Sequence, residues 1–466
     1  MLFSSIPFLY YFIPCVIVLY FAVPKCLKNS VLLLSSLFFY AWGEPKYLIL
    51  MLFSITQGYV FGILIEKCRD KRWSKVFMTI SVILSLLLLG YCKYADFFIS
   101  NFNMLTGLSI PLLRIALPIG ISFYTFQILS YTIDVYRGDV PAQKNYINLA
   151  AYISMFPQLI AGPIVRYSDI AKQLAHRTHS FEDAAMGIRR FIIGLSKKIL
   201  IANILGELVS IFKASHEKSV LYFWLYAIAY MLHIYFDFSG YSDMAIGLGR
   251  VFGFHFPENF DYPYISGSIT EFWRRWHISL GSWFRDYLYI PLGGNRVSRP
   301  QWLFNIFIVW MATGLWHGAA WNFALWGVLF AVLLMVEKLW LLPILKKYKV
   351  LSHIYVLLVV ILSFVIFDAS DMREAFSYLT AMFGFQNFPI VTFESVYYLR
   401  SYMIVFIIGI IGATPILNNL SAIVKKNRHA EMIWNLAEPM VLTALLAVCT
   451  AFLIDGSFNP FLYFRF

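Results

Sequence analysis

The sequence has 466 residues, of which 60% are hydrophobic and 13% are charged, and its formal net charge is +12. Soluble domains carry about one quarter charged residues, so this composition excludes an ordinary soluble protein. Many apolar stretches approach or exceed the roughly 18–20 residues with which a helix crosses a bilayer. Because backbone groups in lipid need internal partners and the runs do not alternate, we predict an all-α polytopic membrane protein rather than a β-barrel.

The candidate spans follow one another along a single domain, residues 1–466. They are 6–24, 29–43, 47–66, 76–92, 113–135, 146–165, 191–213, 219–238, 302–316, 320–342, 352–368, 394–414 and 438–455. Basic residues cluster in the turns between spans, as is typical of cytosolic loops, so the charge indicates membrane lipid rather than nucleic acid as a partner. If these turns are cytosolic, the N-terminus and the C-terminus are both extracytoplasmic.

Two of these stretches conflict with that orientation. Counting both 113–135 and 146–165 as full spans would place the basic segment 166–190 outside, so we predict that one of them is re-entrant or broken. Leu117–Gly120 and Phe156–Pro163 are the candidate breaks, since irregular backbone at membrane depth is tolerated where it lines a cavity. The alternative is an ordinary proline kink.

Residues 240–300 form the longest segment without a clean span, and their glycines and prolines predict short broken helices at the cytosolic face. On a continuous helix, His277 and Trp273 would share a face. Arginines that could hold phosphates by bidentate bonds are also found here, namely Arg274, Arg275, Arg285 and Arg296. The alternative for these arginines is snorkelling to lipid headgroups.

His317 lies within Gly314–Gly318, between two apolar runs. A titratable side chain at membrane depth is costly and usually marks a site, and histidine exchanges protons near neutral pH. We therefore predict that His317 is a catalytic base and that His277, at a basic rim, belongs to the same site. The alternative for His317 is a buried histidine satisfied by a carbonyl group.

Polar residues also gather at the end of the span 219–238. Asp237, Ser239 and Asp243 are predicted to line a cavity or to pair with the nearby arginines, with helix capping by Asp237 or Ser239 as the alternative. An aromatic tail at 459–466 contains Tyr463, and such a tail could also anchor in the membrane interface.

Taken together, these motifs resemble the membrane-bound O-acyltransferase family over nearly the whole chain, closest to its bacterial branch of alginate O-acetyltransferases. The motifs that carry the resemblance are Phe38–Gly43, Leu117–Gln127, Phe156–Pro163, Tyr235–Asp243, Arg274–Arg296 and Thr313–Trp321. The resemblance implies a ring of transmembrane helices around a thin central floor, pierced by a tunnel. It makes His317 the family's near-invariant histidine and His277 its second conserved one. We expect the tunnel to be lined by Trp276, Trp316, Asp237, Ser239, Asp243 and Gln158.

The resemblance also implies an activity. We expect an O-acetyltransferase of the bacterial cytoplasmic membrane that uses acetyl-CoA, needs no metal, and acetylates a secreted or cell-surface polysaccharide with an extracytoplasmic partner of hydrolase-like fold. A related branch moves D-alanine onto teichoic acid with a small protein whose aromatic C-terminus resembles this tail, which makes Tyr463 a candidate acyl relay. The alternatives are D-alanyl or other short-acyl transfer, a transporter or flippase, and a scaffold without activity. Asn203 stands where the family often has an aspartate, and Phe367–Ala369 stands where it often has an arginine, which leaves the acceptor open.

Overall fold

The computed structural model describes residues 1–160, 162–424, 426–456 and 458, and within these residues every regular element is helical. The predicted aromatic tail, including Tyr463, lies outside the described residues. By its internal contacts the chain divides into two compact units, Met1–Phe191 with Met244–Pro257, and Ile192–Asp243 with Glu258–Phe466.

The first unit is built from apolar helices that pair through a few buried polar side chains. Its helices are α1 Ile13–Ala22, α2 Lys28–Gly43, α3 Leu48–Lys67, α4 Arg72–Thr106, α5 Ile121–Arg137, α6 Tyr146–Ser154, α7 Phe156–Leu159, α8 Tyr167–Ala175 and most of α9 Phe181–Ser196. Between α3 and α4, the Gln57 amide donates to Ser81 Oγ at 2.8 Å and accepts from Ser85 Oγ at 3.2 Å. Helix α4 has 35 residues and is about twice as long as the predicted span.

Both stretches that conflicted with the orientation are interrupted. The stretch 146–165 breaks after Ser154, where Met155 leaves the helical conformation with ψ of 111°, and the proline of the short α7 follows. The stretch 113–135 becomes helical only at Ile121, after Gly120 with φ of 75°. A Cβ at Gly120 would lie 2.7 Å from the Leu159 carbonyl oxygen, so the two irregular segments pack closely. The broken span is therefore 146–165, while 113–135 is shortened to α5.

The second unit contains the remaining helices. They are the end of α9, α10 Ile204–Ala214, α11 Val220–Val251 up to Asp243, α12 Ile269–Arg275, α13 Ile278–Phe284, α14 Arg299–His317, α15 Trp321–Val336, α16 Leu342–Lys347, α17 Lys349–Asp368, α18 Met372–Met382, α19 Phe393–Gly412, α20 Ile416–Val424 and α21 Arg428–Ile454. A π-helical segment, Lys197–Asn203, joins α9 to α10.

The first part of the segment 240–300, for which short broken helices are predicted, continues a long helix. Helix α11 runs through Gly240 without interruption and ends at Val251. Gly240 serves close packing instead, because a Cβ there would lie 2.7 Å from the carbonyl oxygen of Gly194. The segment of short helices begins after Val251 and contains α12 and α13.

Seven helices of the described chain are long and apolar enough to cross a membrane. They are Pro45–Lys67, Arg72–Thr106, Val220–Val251, Trp321–Lys347, Lys349–Asp368, Phe393–Gly412 and Arg428–Ile454. The other predicted spans form shorter or less apolar helices. In α11, 78% of the apolar window is buried, whereas in α21 only 6% is buried. Helix α11 is therefore an interior helix, and the apolar surface of α21 suits contact with lipid.

Candidate active site

His277 lies in a sharp turn between two short helices. Helix α12 ends at Arg275 and α13 begins at Ile278, so His277 does not share a helical face with Trp273 as predicted. Its backbone is left-handed, with φ of 45° and ψ of 54°, which is uncommon for a residue other than glycine. Such a conformation persists only where neighbouring groups hold it.

Asn259 supplies these holding contacts and is itself 1% exposed. Its carbonyl oxygen accepts from the Ile278 N–H at 3.0 Å, and its side-chain Oδ1 accepts from the Ser279 N–H at 3.2 Å. The same Oδ1 lies 2.8 Å from Ser279 Oγ and 3.1 Å from His277 Nδ1. Asn259 therefore caps the first turn of α13 and orients the imidazole of His277.

The two predicted catalytic histidines are brought together around Trp316. The Trp316 ring lies 6.0 Å from the ring of His277 and 4.9 Å from that of His317, measured between centroids. His277 is 2% exposed and His317 is 6% exposed, so His277 is enclosed rather than open at a rim. Burial, reinforced by the nearby His317, holds the pKa of His277 well below its usual value. At neutral pH His277 is therefore an uncharged imidazole.

His317 occupies the last position of α14 within a cage of aromatic edges. Besides Trp316, the rings of Trp326 and Phe367 each lie 5.3 Å from its imidazole at steep angles. Gly318 then takes up extended backbone, and a Cβ on it would overlap the ring of Phe323. The imidazole thus has aromatic rings on several sides.

The hairpin of α14 and α15 that carries this cage depends on two glycines. A Cβ at Gly314 would collide with the carbonyl oxygen of Phe323, and a Cβ at Gly327 would collide with that of Trp310. The two glycines face each other, so the helices approach to backbone contact at this level. This approach sets the position of Trp326 beside His317.

Glu337 anchors the helix that precedes His277. Its carboxylate is fully buried and accepts from the N–H groups of Ile269 at 2.6 Å and Thr270 at 2.9 Å, which are the first residues of α12. The Thr270 hydroxyl donates to the same carboxylate at 2.7 Å. A carboxylate on unpaired N–H groups at a helix start is favoured by charge and by hydrogen bonding. Glu337 therefore fixes where α12 begins.

The four candidate donor-binding arginines fall into two groups. Arg275 binds Glu271 at 3.0 Å and Asp261 at 2.9 Å, and Arg285 binds Asp286 at 2.6 Å. These two guanidinium groups already hold carboxylates of the same unit. Arg274 and Arg296 are exposed, and neither forms an ion pair with a described carboxylate. Only this second pair keeps its charge available for an external phosphate.

The acidic residues at the end of the predicted span each pair with a lysine of the same unit. Asp237 forms a buried ion pair with Lys198, and Asp243 binds Lys197 at 2.7 Å. The π-helical segment that begins at Lys197 places these two consecutive lysines opposite α11. Ser239 is 3% exposed, and its hydroxyl has no hydrogen-bond partner among the described residues.

Trp276 and Gln158, two further candidate residues, are both buried. Trp276 is buried against other rings, including Phe260 at 5.1 Å and Phe364 at 5.3 Å. Gln158 belongs to the first unit, where its buried amide donates to the Tyr152 carbonyl oxygen. Among the described residues, no group of three or more His, Cys, Asp and Glu side chains could hold a metal ion.

Sequence reasoning missed Asn259, Glu337, Trp326 and Phe367. Asn259 begins a conspicuous run, Asn259–Tyr264, which was the one available signal for it. Trp326 and Phe367 are ordinary residues of apolar helices, whereas Glu337 is a carboxylate at the end of an apolar run, which was itself a signal.

Comparison with known proteins identifies the class of this molecule. The sequence model of the membrane-bound O-acyltransferase family matches residues 141–368. The chain is 38% identical to a probable alginate O-acetylase of Azotobacter vinelandii, over an alignment that covers 100% of both chains. It is 44% identical to that of Pseudomonas aeruginosa, covering 83% of this chain and 75% of the relative. It is also 34% identical to a peptidoglycan O-acetyltransferase of Helicobacter pylori, covering 82% and 80%.

The chain therefore belongs to the membrane-bound O-acyltransferase family. Within this family it is similar to the alginate O-acetylases along its full length. Membership makes it an acyltransferase and a multi-pass membrane protein, which confirms the predicted family, enzyme class and all-helical fold class.

Proposed function

We propose that this protein transfers an acetyl group from cytosolic acetyl-CoA to a hydroxyl group of a secreted or cell-surface polysaccharide. The relatives are named for O-acetylation of alginate and of peptidoglycan, both polymers outside the cytoplasm. We place the chain in a bacterial cytoplasmic membrane, with both termini outside. The observation that carries the proposal is the pair of buried imidazoles that share Trp316 in an aromatic enclosure.

In the proposed reaction, His317 acts as general base. It removes the proton of the acceptor hydroxyl while the oxygen attacks the thioester carbonyl carbon. The carbon–sulfur bond breaks, and the sulfur leaves as a thiolate that takes up the proton from His317. A positioned general base typically contributes about 10²–10⁴ in rate. The aromatic walls support this role because they exclude water, which would otherwise hydrolyse the thioester.

Arg274 and Arg296 are the proposed contacts for the donor phosphates, since both guanidinium groups are exposed and hold no described carboxylate. We expect Arg274→Ala and Arg296→Ala to raise the KM for acetyl-CoA about tenfold each and to change kcat little, because charge-assisted bonds to phosphate are worth about 1.5–3 kcal/mol. Steady-state kinetics at several salt concentrations measures this. Arg373→Ala, which removes another exposed arginine, is the matched control. Equal KM values in all three variants would remove the arginines from the donor site.

Tyr463 is proposed as an acyl relay, passing acetyl from the thioester to an extracytoplasmic partner of hydrolase-like fold. The proposal rests on the resemblance of the tail to the aromatic motif of the D-alanine branch. A direct transfer to the partner or to the glycan is the alternative route for the same chemistry.

The experiment that tests the function is incubation of purified protein with radiolabelled acetyl-CoA, followed by intact mass measurement and peptide mapping. Acetyl label on Tyr463 that is lost in His317→Ala would support transfer through the tail. Release of CoA without label on the chain keeps the acetyltransferase and moves the acceptor to the partner or the glycan. If neither label nor CoA release occurs with partner and glycan present, while a D-alanyl or other short-acyl thioester reacts, the acetyl donor is wrong.

A further inference from the structure

Asn259 has one orientation of its side-chain amide that satisfies every neighbour. The Ser279 backbone N–H can only donate, and it points to Oδ1 at 3.2 Å. Turning the amide over would place the NH₂ group against that N–H, donor against donor. In the observed orientation the amide nitrogen instead donates to Ser242 Oγ at 3.1 Å. The atom beside His277 is therefore a carbonyl oxygen, which can only accept.

The tautomer of His277 follows from this orientation. His277 Nδ1 lies 3.1 Å from Asn259 Oδ1, and a hydrogen bond between them requires the proton on Nδ1. In a neutral imidazole the other nitrogen, Nε2, then carries a lone pair and no proton. Nε2 is buried, and no described residue forms a hydrogen bond with it.

We propose that Asn259 is a positioning residue that locks His277 as the Nδ1–H tautomer, so that His277 offers a hydrogen-bond acceptor at Nε2 to the reactants. The ligand group that fits is an O–H, N–H or S–H of the acceptor or of the donor arm. Stabilising the thioester oxygen by donation from Nε2 is excluded by the same geometry. The role of this acceptor in catalysis rests on the proposed acyl transfer, whereas the tautomer itself does not.

The surroundings of His277 make this assignment testable by pH. Three aromatic rings lie near its imidazole, with ring centroids at 4.6 Å for Phe238, 6.5 Å for Phe260 and 6.0 Å for Trp316. The titratable group that acts on it electrostatically is His317. A carboxylate in place of the Asn259 amide would therefore be the nearest negative charge, and it would favour the protonated imidazole.

The direct test is nitrogen NMR of the purified protein labelled with ¹⁵N-histidine, with the His277 signals assigned by their loss in His277→Gln. We expect a protonated Nδ1 and an unprotonated Nε2 in the protein without substrate. A protonated Nε2 would overturn the inference, whatever the substrate of the enzyme. If the tautomer is as expected but no acyl transfer occurs, the proposed function fails and the positioning role of Asn259 stands.

Two variants of Asn259 separate positioning from folding. Asn259→Asp keeps an acceptor for both His277 and Ser279, and it should move the acidic limb of the kcat/KM profile to higher pH, because a raised His277 pKa leaves less neutral imidazole. Asn259→Leu removes the acceptor and should lower activity about 10- to 100-fold, the range for partners that orient a metal-bound imidazole. An unchanged pH profile in Asn259→Asp, in protein whose Tm matches the wild type, would contradict the assignment.

Substitutions of His277 itself test whether its Nε2 accepts a hydrogen bond. His277→Gln retains an acceptor oxygen at about the position of Nε2, whereas His277→Leu does not. We expect His277→Gln to keep a larger share of activity than His277→Leu. Equal activity of the two variants would show that Nε2 accepts no hydrogen bond in the reaction.

Discussion

His317→Ala is expected to lower acyl transfer by about 10²–10⁴, the usual contribution of a positioned general base. The substitution removes the imidazole from its contacts with Trp316, Trp326 and Phe367 but leaves α14 intact, since alanine favours helix. The measurement is release of CoA from acetyl-CoA by purified protein in the presence of the acceptor. Size-exclusion elution and Tm of the variant show whether the fold persists.

His353→Ala is the matched control for that result. His353 lies in α17, is exposed, and bonds the Ser266 carbonyl oxygen at 3.1 Å. We expect this variant to retain activity within a few-fold of the wild type. Wild-type activity in well-folded His317→Ala protein would remove His317 from the mechanism and leave His277 as the candidate base.

Gly327→Ala is expected to destabilise the protein strongly, although it adds a single methyl group. That methyl group would collide with the Trp310 carbonyl oxygen, and a backbone atom cannot move aside without shifting α14. Overpacking of this kind typically costs about 1–3 kcal/mol. Because the hairpin places Trp326 beside His317, activity should fall as well. Thermal unfolding followed by tryptophan fluorescence, together with an activity assay, measures both effects.

Gly90→Ala is the matched control, because it adds the same methyl group at a position where no other atom lies close. Gly90 lies within α4, and a Cβ there would meet no atom within 4 Å. Alanine is favoured over glycine inside a helix by up to about 1 kcal/mol, so the Tm of this variant should stay constant or rise slightly. If both glycine variants had the same Tm, close approach of α14 and α15 would not explain why glycine is needed at 327.

The sequence allowed the histidine pair to be predicted because each residue stands in a distinctive motif. His317 interrupts an apolar run, and His277 follows a pair of arginines. The local sequence around each histidine therefore made both conspicuous. The broken stretch near Pro157 was predictable for a similar reason, since proline and glycine act locally on the backbone. The closeness of the two histidines to one ring was not predictable, because it depends on how α12, α13 and α14 pack.

The parts that could not be predicted are set by tertiary contacts. Glycine often ends a helix, yet Gly240 lies inside a continuous helix, where its lack of a side chain allows close packing on Gly194. Asp237 and Asp243 each bind one of two consecutive lysines in a π-helical turn, and the sequence alone did not indicate these two pairs. Arg275 and Arg285 look equivalent to Arg274 and Arg296 in the sequence, and only their carboxylate partners distinguish them.

The mutual influence of His277 and His317 limits how much charge the enclosure can hold. Since His317 disfavours the cationic form of His277, the first proton accepted by the pair opposes a second. In the proposed reaction, the proton taken from the hydroxyl must therefore leave with the departing sulfur before another acceptor can be activated. Each cycle would then bring one proton from the acceptor to the sulfur and send one acyl group, formally a cation, from the sulfur to the acceptor. The net charge moved in a cycle would be zero. An enzyme of this kind should work at the same rate whether or not the membrane is energised.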